Sequence, residues 1–176
     1  MRNDRVRVLV ESAVMIALGT VLSLIKVYSM PQGGSVTAAS MLPVMLIGFR
    51  WGARAGLAAG VVYGMVQYLI EPFYVHPVQM LLDYPVAFGL LGVSGFFRGA
   101  GRAGTVLGLA AGAVGRYLAH VVSGVVFFAE FAPEGVPPLV YSLVYNLYIF
   151  PELLLMVVIG LILVPRLRRE DILATR

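Results

Sequence analysis

The chain reads as an all-α integral membrane protein with six transmembrane helices and both termini cytoplasmic, on three observations. Of its 176 residues 60% are hydrophobic and only 12% are charged, far from soluble averages. Apolar runs recur along the whole length, and about 20 such residues cross hydrocarbon as a helix because lipid offers backbone groups no partner. Basic residues cluster in alternate loops. A single membrane domain over 1–176 accommodates all three.

The spans are expected near 8–27, 35–49, 55–70, 78–97, 103–129 and 138–164. Arg2, Arg5 and Arg7 precede span one. This start has the outline of a secretory signal peptide, but the apolar run continues to Val27 with no convincing small-x-small cleavage site. Span two is short and interrupted by Pro43, so charge arbitrates. Arg50 and Arg54 lie between spans two and three, Arg98 and Arg102 between four and five, and Arg166, Arg168 and Arg169 after six. The other three loops carry Glu71, Glu130, Glu134 and His76 and no Lys or Arg. That alternation obeys the positive-inside rule only if all six segments cross.

Small residues recur at every fourth position: Ala13 and Ala17 in span one, Gly56, Gly60 and Gly64 in span three, Gly104, Gly108 and Gly112 in span five. Such spacing lets helix backbones approach closely in lipid. Internal packing is expected for spans three and five, whereas span one is free to offer its stripe to a partner. The connection 28–40, with Pro31, Gly33 and Gly34, is the longest on the outer face and is expected to act as a lid.

Several functions are excluded. The net charge of +4 comes from short clusters between apolar runs, not from one basic face, so no nucleic acid is expected. The absence of Cys removes disulfides, thiolate metal sites and Cys nucleophiles. No Gly-x-x-x-x-Gly-Lys-Ser/Thr phosphate loop occurs, so any pumping borrows its energy. Neither cofactor nor metal is expected.

An ionised group is costly in hydrocarbon and faces a bundle interior or cavity, which makes Asp83 in span four the leading site residue. On a rise of 1.5 Å per residue it lies roughly 8 Å below the outer boundary, with His120 of span five and Asn146 of span six about 12 Å below theirs. Tyr84 adjoins Asp83. Tyr141, Tyr145, Tyr148 and Glu152 share one stripe of span six, since offsets of 4, 7 and 11 return to nearly the same angle. Asn146 lies about 100° round from Tyr145, so a pocket lined by span six needs a broad face or a helix irregular near Pro151. A carboxylate among aromatic rings suits a cationic, aromatic ligand, through Coulomb attraction and cation–π contact. His120 and Asn146 are placed to hydrogen-bond ring nitrogens or an amino group. Arg116, one turn from His120, matches Glu152 in depth, and the two are read as an ion pair or as support behind the ligand contacts.

A rival class is raised by Gly92-Val93-Ser94-Gly95, which matches the Gly-x-Ser-Gly pattern of rhomboid-type intramembrane proteases. Ser94 lies about 5 Å from the inner boundary and His120 about 22 Å from it. A serine and its base must meet within about 3 Å, so no dyad forms.

Met30-Pro31-Gln32-Gly33-Gly34-Ser35-Val36-Thr37, Met41-Leu42-Pro43, Phe49-Arg50-Trp51-Gly52, Leu82-Asp83-Tyr84-Pro85, Arg116-Tyr117-Leu118-Ala119-His120 and Tyr141-Ser142-Leu143-Val144-Tyr145-Asn146 together resemble the ThiT/YuaJ family. Its members are the thiamine-specific S components of energy-coupling factor transporters. The resemblance implies a six-helix plasma-membrane subunit, not an enzyme, that captures thiamine from outside. It also implies a transmembrane coupling subunit and two ATPases as partners, with Ala13 and Ala17 docking on the former. By the same resemblance the site comprises Asp83, Tyr84, His120, Tyr141 and Asn146, with Tyr145 beside them and Arg116 as the basic residue one turn before the His. Departures are an Asp where the family has Glu, Phe127 or Phe128 in the region of an expected Trp, and no lid Trp, since Trp51 lies in an inner loop. An S component for another vitamin or for a thiamine precursor is the rival within transport.

Overall fold

Five helices long and apolar enough to cross a membrane form in this computed structural model, which describes residues 2–30 and 34–174, with side chains from Asp4 to Leu167. Pro31, Gln32 and Gly33 of the expected lid, and the side chains of Arg2, Arg168 and Arg169, lie outside the described residues. The long helices are α1 (Arg2–Ser23), α3 (Ala53–Ile70), α4 (Pro77–Phe97), α5 (Gly101–Phe127) and α6 (138–174).

The segment expected as span two behaves differently. Ser35–Thr37 forms a strand, β2, antiparallel to β1 (Lys26–Ser29), and only Leu42–Trp51 is helical, as α2. Pro43 explains this, for it stands at the first turn of α2, where its missing N–H costs nothing. Pro43 therefore begins the helix instead of interrupting it. Ten residues reach about 15 Å, half the hydrocarbon thickness. Leu42 to Arg50 are all buried, as expected of a helix apolar on every side.

Around α2 the remaining helices pack through glycine. A Cβ on Gly56 would come 2.9 Å from the Cα atoms of Gly48 and Gly92, and one on Gly60 would overlap the Phe88 carbonyl. Gly108 faces the Phe49 ring, and Gly112 faces Met45 and the Leu91 carbonyl. The glycine stripes of α3 and α5 are thus consumed inside the bundle, as their spacing suggested. Met41, Met45, Leu91, Leu109, Ile149 and Met156 complete a fully buried core at this end.

Helix α1 lies outermost, against α2 and α3, with Ala13 and Ala17 exposed. Glu11 pins it, forming an ion pair with Arg50 (Nε at 2.6 Å) and accepting from Arg50 Nη2 at 3.3 Å, Trp51 Nε1 at 2.8 Å and Arg7 Nε at 3.0 Å.

Two helices are irregular, and both irregularities serve the site. Pro85 lacks the N–H for its place in α4 and its ring clashes with the carbonyl four residues back, so Leu82–Val86 widens into a π turn closed by Ala87 N–H on the Leu82 carbonyl. The helix then tightens to a 3₁₀ form over Leu90–Phe97. In α6 an α segment (Pro138–Tyr145) gives way to a 3₁₀ turn (Asn146–Tyr148) before the helix resumes at Ile149. Pro151 provides the cause, since it cannot donate to the Leu147 carbonyl.

Candidate functional site

The β-hairpin end of the bundle holds a cavity of about 770 Å³, within the range of small-molecule sites. Its walls come from the hairpin, α3, the π turn of α4, the second half of α5 and the start of α6. Asp83, Tyr84, His120, Tyr141, Tyr145, Asn146, Phe128, Arg116 and Glu152 all line it. Ala13, Ala17 and Ser94 do not.

Asp83 projects from the π turn, and both of its oxygens are held. Gln79 Nε2 donates to Oδ2 at 2.8 Å, and His120 Nδ1 lies 3.0 Å from Oδ1. The tautomer of His120 follows from its other side, because Arg116 Nε donates to Nε2 at 3.2 Å. A guanidinium only donates, so Nε2 is the acceptor and Nδ1 carries the proton given to Asp83. His120 is therefore neutral, bridging a cation to a carboxylate. The Arg116 guanidinium also lies 4.2 Å from the Phe88 ring centroid. It makes no ion pair with Glu152 among the described residues; the pairing read from helix depth is replaced by His120 and Phe88.

Gln79 is fully buried, accepting from Val75 N–H at 3.0 Å while donating to Asp83 and to the Phe73 carbonyl. Tyr84 turns its hydroxyl to the loop after α3, donating to the Glu71 carbonyl at 2.8 Å and accepting from Phe73 N–H at 3.1 Å. Its ring, against Tyr68 at 5.0 Å, is what remains for a ligand. Tyr141 and Tyr145 pack together at 5.9 Å, and Phe128 lies between Phe73 and Phe131. Tyr141, Tyr145, Asn146, Tyr148 and Glu152 of α6 all line one cavity, with the 3₁₀ turn Asn146–Tyr148 among them. Asn146 Nδ2 is tied to the Ser142 carbonyl at 2.9 Å, and its Oδ1 accepts from no described residue. Tyr117 Oη to the Leu143 carbonyl and Ser142 Oγ to the Val121 carbonyl, both 3.0 Å, hold this part of α6 on α5.

The hairpin is seated over the cavity by three contacts. Gly34, at φ 78°, brings its backbone against the Tyr148 ring, where a Cβ would overlap it. Lys26 pairs with Glu71 at 2.9 Å. Glu152, 2% exposed, accepts from Thr37 N–H at 3.2 Å, Thr37 Oγ1 at 2.7 Å and Ser40 Oγ at 3.2 Å. Gln79, Thr37, Ser40, Tyr63, Gln67 and Phe88 line the same cavity and were missed by the sequence reading. Only Gln79 left a signal, four residues before Asp83 on the same helical face.

Ser94 is buried and donates to the Met45 carbonyl at 3.0 Å. That bond commits its hydroxyl to packing.

A family profile described as "Thiamine transporter protein (Thia_YuaJ)" matches residues 9–171. The chain belongs to the Thia_YuaJ family. A Bacillus subtilis (strain 168) relative, named thiamine transporter ThiT, is 41% identical, the match covering 93% of this chain and 94% of that protein. A Lacticaseibacillus paracasei relative of the same name is 29% identical, over 92% and 89% of the respective lengths. Among solved structures, ThiT from Listeria monocytogenes superposes with a TM-score of 0.82 at 27% identity, covering 93% of this chain and 98% of that one. The Thia_YuaJ relatives are transporters and not enzymes, and with its spanning helices this chain is a multi-pass membrane protein.

Proposed function

We propose that this chain is the thiamine-capturing S component of an energy-coupling factor importer in the plasma membrane. One observation carries the reading: Asp83, oriented by Gln79 and His120, opens onto a cavity ringed by Tyr84, Phe128, Tyr141, Tyr145 and Tyr148. The net negative charge of the cavity lining and its aromatic rings together suit a positively charged heteroaromatic vitamin. Asn146, with Oδ1 unengaged, supplies a hydrogen bond for its pyrimidine ring, whereas His120, both of whose ring nitrogens are taken by Asp83 and Arg116, orients Asp83 instead of bonding the ligand.

The chain has no phosphate loop, so uptake depends on a coupling subunit and two ATPases, and the exposed Ala13 and Ala17 of α1 form the docking stripe. Thiamine enters from the hairpin side, with the hairpin as lid.

Calorimetric titration of the purified subunit tests the capture step. Thiamine binds the native protein, and D83N binds it at least about tenfold more weakly, as loss of a charged hydrogen-bonding group implies. Undiminished affinity in D83N would remove Asp83 from the site.

A further inference from the structure

We infer that Glu152 is the residue that selects a singly charged cation in this cavity, while Asp83 serves the uncharged, hydrogen-bonding part of the same ligand. The inference rests on the thiamine-binding reading above and divides its electrostatics between two carboxylates.

Charge on the lining leads there. The ionisable groups with fixed charge are Lys26 and Arg116 against Glu71, Asp83 and Glu152, which leaves one negative charge in excess. His120 adds none, because Arg116 fixes it as the neutral tautomer. Lys26 and Glu71 answer each other at the rim. Asp83 is answered by Arg116 through the ring of His120, and its second oxygen by Gln79. Glu152 is left over.

Its surroundings are built for an ionised carboxylate. The Thr37 N–H can only donate to it, the Thr37 and Ser40 hydroxyls share their two protons between the carboxylate and each other at 2.7 Å, and among the described residues no cation lies within ion-pair distance. Thr37 and Ser40 both reach Glu152 because Ala39 between them takes the left-handed conformation, φ 60°, which a residue with a Cβ rarely adopts. A buried carboxylate with only neutral donors is costly, and the cost falls when a cation enters the same low-dielectric cavity. Direct contact is unnecessary, since the wall screens little. Asp83, oriented by two fixed donors, is suited instead to accepting from an amino group.

The test compares two ligands on each sample: thiamine, and its thiophene isostere, in which carbon replaces the charged ring nitrogen. Native protein should prefer thiamine by at least about tenfold, E152Q should prefer it by less than about threefold, and D83N should weaken both ligands while keeping the preference. The ratio is insensitive to the active fraction. Retention of the tenfold preference in E152Q overturns the assignment, as does its collapse in D83N. Should E152Q fail to fold, the D83N ratio alone decides. Equal binding of the two ligands by native protein also refutes charge selection, whereas binding of neither refutes the thiamine reading itself.

Discussion

At the scale of residues the site is a chain of fixed roles: Arg116 sets the tautomer of His120, His120 and Gln79 set the orientation of Asp83, and Asp83 faces the cavity. Such a network rewards its members jointly and is damaged by removing any one. R116M removes the guanidinium from over Phe88 and frees His120 to take either tautomer. It should weaken thiamine binding by about tenfold, the scale of one charged hydrogen bond, and titration calorimetry reads the change. S94A, by contrast, removes a packing bond far from the cavity, so binding should stay at the native value while the melting temperature falls slightly. Asp83 and His120 were legible as cavity-lining residues because polar groups in a hydrocarbon-spanning run face a bundle interior or a cavity. Thr37 and Ser40 were not, for hydroxyl residues in a connection are ordinary there. Glu152 was visible, but its partner was not. Helix depth pointed to Arg116, whereas the hairpin folds back and supplies Thr37 and Ser40 from 115 and 112 positions away in the chain.

At the scale of elements, prolines do the shaping. Pro85 opens the π turn that carries Asp83, and P85A should let α4 tighten toward a regular helix, shifting Asp83 relative to His120 on α5. The expected outcome is weaker thiamine binding with an unchanged or higher melting temperature, a pattern opposite to that of a core substitution. G60L provides that contrast, because its side chain must displace the backbone of α4 at Phe88. Overpacking of this kind costs about 1–3 kcal/mol or more, and thermal unfolding in detergent should register it. Glycine spacing made the α3 and α5 contacts legible in advance. The 3₁₀ turn at Asn146–Tyr148 was foreshadowed by the angular misfit of Asn146 and by Pro151, although its position was not. Pro43 misled, since proline reads equally as an interruption or as a first turn until the preceding residues are seen to form a strand.

The whole molecule divides into a glycine-packed end, where α2, α3, α4 and α5 touch backbone to backbone, and a hairpin end opened into a cavity. Rigidity at one end holds the site's helices in place at the other. Helix α1 stands apart, tied by Glu11 near its start and by the Tyr63 hydroxyl on the Gly19 carbonyl at 3.1 Å, with Ala13 and Ala17 facing outward between those ties. Bulk added there meets nothing within the subunit. A13L/A17L should therefore bind thiamine as the native chain does and fail in uptake, measured in proteoliposomes holding the coupling subunit and ATPases. Helix α2 has one more consequence, for the history of the fold and not its working state. Ten residues, half a bilayer deep and with the first nine buried inside the bundle, cannot be stable on leaving the insertion machinery alone. That stretch of chain has to wait, during synthesis, until α3, α4 and α5 have emerged to enclose it, so the innermost part of this protein is among the last to settle in the membrane.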